Sequence, residues 1–429
     1  DQLINETIPE KIRMKEDLDL PKALSEYDYL KMLKQVAAQN KVYKNYIGLG
    51  YYNPIIPPVI LRNLFHNPGW YTPYTPYQAE IAQGRLEALL NFQTMIADMT
   101  AMPLANASLL DEATAAAEAM SMFFSAKNKR AKGAQIAQQF LVTKAVFPQT
   151  LDVLKARAAP LGIEIVLTDN FEITNDTFGI FLQYPDANGC VKDQSDLVSH
   201  AKSKGVYTVV AASLMSLALL KPPGEWGVDV VVGNSQQFGV PLGFGGPHAA
   251  FFATHDKFKR QMPGRIIGVS IDANGNQALR MALQTREQHI RRDKATSNIC
   301  TAQVLLAVMA GMYAVYHGPQ GLRYIANKVH EHTLILADGL KRNGYQLVHN
   351  SFFDTITVRA HRDQIEPLAL SKEINLHYPD HEHVSISINE TTNAEDVALL
   401  ISLFTSETSS EETTVPLEEF GIANSLRRP

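Results

Sequence analysis

The sequence predicts an α/β fold with a mostly parallel sheet, a small C-terminal α/β domain and an N-terminal arm. Short apolar segments typical of buried strands alternate with helical segments between residues 140 and 232. Because parallel strands need helical crossovers, this alternation favours βαβ units and a sheet covered on both faces. The predicted strands are 140–143, 163–167, 180–182, 206–211 and 228–232, with helices at 150–159 and 193–203.

The elements on either side complete the predicted domain organisation. Ser25 followed by Asp28 resembles a capping box and predicts a helix to about Asn40. Further predicted helices cover 78–99, 111–127 and the region from Ala295 to about Asn343, and the last elements are strands 355–358 and 384–388 and helices 364–372 and 394–403. The predicted parts are an arm with a Pro/Gly/Tyr-rich loop (1–76), a large domain (77–330), a small domain (331–404) and a linker or tail (405–429).

Composition excludes several classes of function. The 429 residues are 45% hydrophobic and 19% charged, which is typical of an ordinary globular protein rather than a disordered one. A net charge of -5 gives no reason to expect a nucleic-acid or anionic-membrane surface. No apolar run reaches the ~20 residues that span a bilayer. Cys190 and Cys300 form no disulfide framework, so a reducing compartment is expected.

The segment 228–253 places a loop rich in Gly and Pro between two apolar strands. This arrangement is how one large class of enzymes presents a lysine to pyridoxal phosphate. Here the position of that lysine holds Gln236. An amide cannot take the place of the amine as a covalent anchor for the cofactor.

Two further segments each keep two interpretations open. In the first, 71–80, prolines either set the approach to a helix, or Thr75, Gln78 and the tyrosines line a polar pocket. The second, 286–298, is a run of mixed charge that ends in small polar residues. It is either a solvated face or a partner-facing loop that offers hydroxyls to an anion.

Two segments resemble ligand sites, but neither is predicted to bind a phosphate or a metal ion. The segment 106–112 precedes a helix, where backbone amides can hold a phosphate, but bulky leucines and two acids oppose an anion there. Asp111 is interpreted instead as an ordinary N-cap. His381 and His383 have no further ligand in sight, so no metal site is predicted.

Long motifs resemble glycine decarboxylase, the P-protein family of the glycine cleavage system. The resemblance covers nearly the whole chain, and motifs of this length are highly specific. They are 50–52, 57–63, 67–72, 74–80, 83–93, 106–114 and 284–303.

The resemblance implies two homologous halves, fused or split into two subunits, each with the fold of fold-type I pyridoxal phosphate enzymes. The second half carries the cofactor and its lysine, and this chain resembles the first half. Since the motifs are closest to those of the fused form, the natural protein is expected to continue past Pro429.

Departures from the cofactor-binding pattern agree with that assignment. The family's His-Lys pair falls on Ser235-Gln236, and the Asp that holds the pyridine nitrogen falls on Ala211. The phosphate cup falls on 108–110, where two leucines stand. The resemblance therefore implies that the C-terminal half holds pyridoxal phosphate and that this chain alone is inactive.

Site residues in this chain are expected to act on the partner lobe. Thr296, Ser297 and Asn298 resemble the segment that sends a hydroxyl to the partner's cofactor phosphate. A second candidate group reaches toward the partner's substrate pocket: Tyr74, Thr75, Tyr77 and Gln78.

The implied reaction decarboxylates glycine and passes the aminomethyl group to the lipoyl group of the H-protein. Expected partners are the C-terminal half and the lipoylated H-protein, in a homodimer or an α2β2-type assembly, without nucleic acid or membrane. The expected location is the bacterial cytoplasm, or the mitochondrial matrix in a eukaryote. One alternative is a purely structural or dimerisation lobe. Another is an autonomous enzyme that uses Lys144, which stands beside no phosphate cup.

Overall fold

The computed structural model describes residues 1–14, 16–71, 77–129, 136–246, 248–283, 303–405 and 421–428. Contacts divide the chain into a short unit, Asp1–Tyr43, and a large unit, Lys44–Pro429. The first boundary predicted from the sequence is residue 76, whereas the contacts place it after Tyr43. The reason is that the backbone from Lys44 onward pairs with a strand of the large unit.

The short unit contains helices α1 (Gln2–Thr7) and α2 (Glu26–Ala37). Ser25 caps α2 as predicted, because its Oγ accepts a hydrogen bond from the backbone N–H of Asp28 at 3.1 Å. Neither helix has a buried residue. The residues of this unit that the structure describes therefore form no hydrophobic core of their own.

The large unit alternates helices and strands, as the sequence predicts. Its helices are α3 (Pro58–Ile60, followed by a π-helical turn, Leu61–Phe65), α4 (Pro68–Tyr71), α5 (Gln83–Thr100), α6 (Glu112–Asn128), α7 (Pro148–Ala158), α8 (Ser195–Ser203), α9 (Val304–Arg342, broken at Gly318), α10 (Arg362–Ser371) and α11 (Ala394–Ser402). Its strands are β1 (Lys44–Asn45), β2 (Leu104–Ala105), β3 (Gln139–Thr143), β4 (Glu164–Thr168), β5 (Thr177–Tyr184), β6 (Tyr207–Ala212), β7 (Val230–Asn234), β8 (Ala250–Thr254), β9 (Ile267–Ile271), β10 (Gln277–Met281), β11 (Thr355–Arg359), β12 (Ile374–Asn375) and β13 (His383–Ser387).

Seven strands form the central sheet in the order β2-β8-β7-β6-β5-β3-β4. The strands from β7 to β4 are parallel to their neighbours, whereas β8 runs antiparallel to β7 and β2 antiparallel to β8. The predicted mostly parallel sheet is confirmed. Since the parallel strands end at one edge, the loops that follow them meet there.

Two hydrophobic clusters contain alternate residues of the same strands. Leu182 and Val210 belong to the first, which also includes side chains of α5, α9 and the small domain. Phe181 and Ala211 belong to the second, with side chains of α6 and α7. Because successive side chains of a strand point to opposite faces, the helices cover both faces of the sheet.

The small C-terminal part pairs β11 with β13 in antiparallel register and β1 with β12 in parallel register. Residues 421–428, which belong to the predicted linker, lie against the rest of the large unit. Leu426 is buried, and the Arg428 guanidinium donates hydrogen bonds to the carbonyls of Met99 and Leu217. The tail thus contains a packed segment and is not a linker throughout.

The antiparallel hairpin of β9 and β10 was not predicted, although Asn274-Gly275 at its turn is a recognised hairpin signal. Its strands are partly exposed, so they lack the continuous apolar run that marks the other strands. Among the described helices, none combines the length and the apolar character needed to cross a membrane.

Candidate functional site

A cleft of about 100 Å³ lies at the carboxyl edge of the central sheet. Ligand sites of open α/β sheets occur at this edge. The cleft is bounded by the start of α6, the start of α7, the end of β7 and the loop before α3. Its lining residues are Gly50, Tyr51, Asp111, Glu112, Ala113, Phe147, Gln149, Thr150, Val153, Asn234 and His248.

The start of α6 places two acids at the cleft. The Asp111 carboxylate accepts a hydrogen bond from the backbone N–H of Thr114 at 2.7 Å, which confirms its predicted role as an N-cap. Glu112 follows it and is buried. The helix terminus that attracts anions in other proteins is therefore capped by the chain's own carboxylate.

The buried carboxyl group of Glu112 is held by an amide. Gln183 Nε2, on β5, donates a hydrogen bond to Glu112 Oε1 at 3.2 Å. The pKa of Glu112 is raised to about 7, mainly by burial; the bond from Gln183 acts in the opposite direction, and the charge of Asp111 adds to the rise. The carboxyl therefore titrates near neutral pH.

Stability should fall between about pH 4.5 and pH 7, because the folded chain keeps a proton on Glu112 that the unfolded chain has released. A group whose pKa is raised in the folded state stabilises fully below its unfolded pKa and loses that contribution as the pH rises. We expect Glu112→Gln to flatten this slope and to raise the free energy of unfolding at pH 8 by about 2–3 kcal/mol. Urea unfolding across this range measures the slope. The control is Glu87→Gln on the exposed side of α5, and an equal slope in both variants would contradict the assignment.

Gln236, the residue at the predicted lysine position, is fully buried just after β7. Its Oε1 accepts from the backbone N–H of Tyr52 at 2.9 Å. Its Nε2 donates to the carbonyls of Tyr52 and Val240 at 2.6 and 2.8 Å. The amide therefore joins the loop before α3 to the loop after β7, and both ends of the side chain are engaged.

The other two positions that the resemblance assigns to cofactor contacts, Ser235 and Ala211, are also built into the fold. Ser235 Oγ donates to the carbonyl of Ala249 at 2.8 Å. Ala211 lies buried in the middle of the sheet, opposite Gln183 on one side and Val232 on the other. Neither side chain offers a charge to a ligand in the cleft.

His248 brings an imidazole to the opposite wall of the cleft. Its ring lies 5.0 Å from that of Tyr51, centroid to centroid. Burial lowers the pKa of His248, while the charge of Asp111 opposes this shift. Burial also raises the pKa of Tyr51. Both rings therefore favour their neutral forms.

The residues predicted to act on a partner fall mostly outside the described part of the chain. Tyr74, Thr75, Thr296, Ser297 and Asn298 lie in the ranges that the structure does not describe. Tyr77 is buried and Gln78 is exposed, and neither is among the residues that line the cleft. Their assignment to a partner's pocket stays a prediction.

Comparison with known proteins identifies the chain's relatives. The family described as "Glycine cleavage system P-protein" matches residues 1–404. The chain belongs to this family. It is 54% identical over 417 residues to glycine dehydrogenase (decarboxylating) of Flavobacterium johnsoniae and 56% identical over 409 residues to that of Thermosynechococcus vestitus. It is 53% identical over 415 residues to the mitochondrial glycine dehydrogenase (decarboxylating) of Dictyostelium discoideum.

These alignments cover 97%, 94% and 95% of this chain but 44%, 42% and 41% of the three relatives. The chain thus spans less than half the length of each. A crystal structure of an inhibitor-bound glycine decarboxylase (P-protein) matches with a TM-score of 0.85 and 32% identity. The match covers 94% of this chain and 93% of that one.

The fold is that of fold-type I pyridoxal phosphate enzymes. A glutamate decarboxylase from Lactobacillus brevis has the same fold, with a TM-score of 0.67 over 92% of this chain and 95% of that one at 13% identity. Neither Gln236 nor Ala211 lines the cleft, and the chain departs in three ways from the cofactor-binding pattern that the resemblance implies. Gln236 offers an amide instead of an amine, Ala211 carries no carboxylate, and Asp111 caps the helix start.

The hydrogen-bond partners of Gln236 and Glu112 could not be predicted from the sequence. Tyr52, which holds the Gln236 amide, lies 184 positions away along the chain, and Gln183 lies 71 positions from Glu112. No local pattern joins such residues. The only signal was indirect: a glutamine in a buried, apolar setting needs hydrogen-bond partners.

Proposed function

We propose that this chain is the N-terminal, pseudo-catalytic half of a glycine decarboxylase. In this proposal it completes the pyridoxal phosphate site of the C-terminal half and holds no cofactor of its own. The supporting observation is the buried Gln236 amide, which binds three backbone groups; the resemblance assigns this position to the family's lysine. The names of the relatives, which are glycine dehydrogenases (decarboxylating), support the reaction.

The proposed enzyme removes CO2 from glycine and passes the aminomethyl group to the lipoyl group of the H-protein. Pyridoxal phosphate on the C-terminal half supplies the electron sink for the carbanion. This chain's part is to hold and shield that site. In the proposal, Thr296, Ser297 and Asn298 contact the cofactor phosphate, and the loop residues Thr75 and Gln78 face the substrate pocket.

The short unit supports association with a further lobe. Its large apolar side chains are exposed, including Leu3 at 75% and Ile12 at 74%. Apolar surface of this kind is typical of segments that pack against another protein surface. We propose the C-terminal half as that surface, fused or as a separate subunit, in a homodimer or an α2β2-type assembly. Bacterial enzyme would be cytoplasmic, and a eukaryotic one would lie in the mitochondrial matrix.

The proposal predicts a loss of cofactor affinity when a hydroxyl is removed in trans. In the enzyme assembled with its C-terminal half, Thr296→Ala should weaken pyridoxal phosphate binding at least about tenfold, since a hydrogen bond to a charged group contributes about 1.5–3 kcal/mol. Thr75→Ala should lower glycine–bicarbonate exchange at saturating cofactor. The exposed Thr405→Ala is the matched control and should change neither.

Two outcomes separate the alternatives. If Thr75→Ala and Thr296→Ala leave both cofactor affinity and exchange unchanged, the chain is a purely structural or dimerisation lobe. If the isolated chain with excess pyridoxal phosphate shows the absorption of a lysine-linked cofactor, and borohydride fixes it to one lysine such as Lys144, the chain is an autonomous enzyme. The proposal is supported if the isolated chain shows neither the absorption of a lysine-linked cofactor nor a borohydride adduct, and if the C-terminal half restores activity.

A further inference from the structure

Three side chains of metal-ligand type come together away from the cleft. Asp186 and Cys190 belong to the turn after β5, and His349 precedes β11 in the small domain. One ligand atom from each lies within 4.8 Å of the other two. All three residues are half-buried, so a solvated ion can reach them.

The turn is fixed by its own hydrogen bonds. The backbone N–H groups of Asn188 and Cys190 both donate to Asp186 Oδ1 at 2.9 Å. The backbone of Asp186 also donates to the carbonyl of Cys190 at 3.1 Å and accepts from Gly189 at 2.9 Å. A carboxylate has two oxygens, so this bonding orients the group and leaves Oδ2 for a cation.

Backbone pairing also fixes the turn against the segment that carries His349. The N–H of Val191 donates to the carbonyl of Ser351 at 2.9 Å, and Cys190 forms a bridge with Phe352. Thr357 Oγ1 donates to the carbonyl of Asn188 at 3.0 Å. The three ligand groups are therefore brought together by a rigid frame rather than by mobile side chains alone.

The set of ligands selects the class of ion. Thiolate sulfur, imidazole nitrogen and carboxylate oxygen are the three ligand types of Zn²⁺, and three protein ligands with one water complete its tetrahedral shell. Ca²⁺ and Mg²⁺ prefer shells made of oxygen. We propose that Asp186, Cys190 and His349 form a Zn²⁺ site that joins the turn after β5 to the small domain.

The spacing of the three ligands explains why no local sequence pattern indicates this site. Asp186 and Cys190 are four positions apart, but His349 follows 159 positions later, outside any known motif spacing. The plain alternative is a polar cluster without an ion, in which His349 and Asp186 attract each other electrostatically. The two interpretations differ in whether a thiolate–metal bond forms.

Cobalt is a suitable probe, because Co²⁺ takes the same ligands and its thiolate complexes absorb in the near ultraviolet. We expect the full chain, freed of metal with a chelator and titrated with Co²⁺ at neutral pH, to bind one ion with a thiolate charge-transfer band. Zn²⁺ should then displace it, because Zn²⁺ prefers a tetrahedral site with thiolate and imidazole ligands. Cys190→Ser should abolish the band, and both Cys190→Ser and His349→Asn should weaken binding at least about tenfold.

Cys300→Ser is the matched control, because it removes the chain's only other cysteine. It should leave both the band and the affinity unchanged. Circular dichroism of each variant verifies that it is folded. The proposal is overturned if the wild-type chain binds no stoichiometric Co²⁺, if the band persists in Cys190→Ser or disappears in Cys300→Ser, or if His349→Asn binds as tightly as wild type.

Discussion

Gln236→Leu is expected to lower the free energy of unfolding by about 3–6 kcal/mol. Leucine has a similar volume but leaves the Tyr52 N–H, the Tyr52 carbonyl and the Val240 carbonyl without their partner in a buried site. Each buried group without a hydrogen bond costs about 1–3 kcal/mol. Burial of the apolar leucine side chain offsets part of this cost, so the expected loss is smaller than the largest sum of the three penalties.

Urea unfolding at neutral pH measures the change, which should appear as a lower midpoint with an unchanged denaturant slope. Gln237→Leu is the neighbouring control. That amide is only half-buried and contacts Ser213 Oγ at 2.8 Å and Asp354 at 3.5 Å. We expect it to cost no more than about 2 kcal/mol. Equal losses in the two variants would contradict a special structural role for Gln236.

Gly189→Ala is expected to destabilise the large unit by about 3–5 kcal/mol. Gly189 has a φ of +85°, and an added Cβ would lie 2.0 Å from the carbonyl oxygen of Thr355 on β11. The left-handed conformation costs a residue with a Cβ about 1–2 kcal/mol. The contact is with backbone and cannot be relieved by a rotamer change, so the turn and β11 must separate, which adds about 1–3 kcal/mol.

Gly275→Ala separates the two contributions. Gly275 has nearly the same φ, +84°, but an added Cβ would meet no atom within 4 Å. The free energy of unfolding of this control should therefore fall only by the cost of the left-handed conformation, about 1–2 kcal/mol. Thermal or urea unfolding of both variants gives the comparison. If Gly189→Ala lost no more than Gly275→Ala, the close packing of the turn against β11 would be wrong.

Local pattern was enough to predict the order of elements. The strands β3 to β7 are five to eight residues long and are separated by segments of helical periodicity, which leaves few alternatives to a parallel sheet. The caps of α2 and α6 were predicted because Ser25 and Asp111 act on backbone groups only three residues away. Interactions between residues so close along the chain can be predicted from the sequence alone.

Element boundaries depended on distant partners. The helix predicted from residue 78 begins at Gln83, five residues later. There the Gln83 side chain exchanges two hydrogen bonds with the backbone of Leu279, on β10. The helix start is therefore tied to a hairpin that the sequence analysis did not predict.

The sequence by itself determined the fold class, the family resemblance and the expectation that Gln236 stands where a lysine would anchor the cofactor, because each depends on residue identity or local periodicity. Only the tertiary structure decided what this glutamine does: Gln236 binds the backbone of Tyr52 and Val240. It also brought Asp186 and Cys190 to His349. Such contacts arise where chain segments far apart in sequence meet at the end of a sheet, and their geometry follows from packing rather than from spacing along the chain.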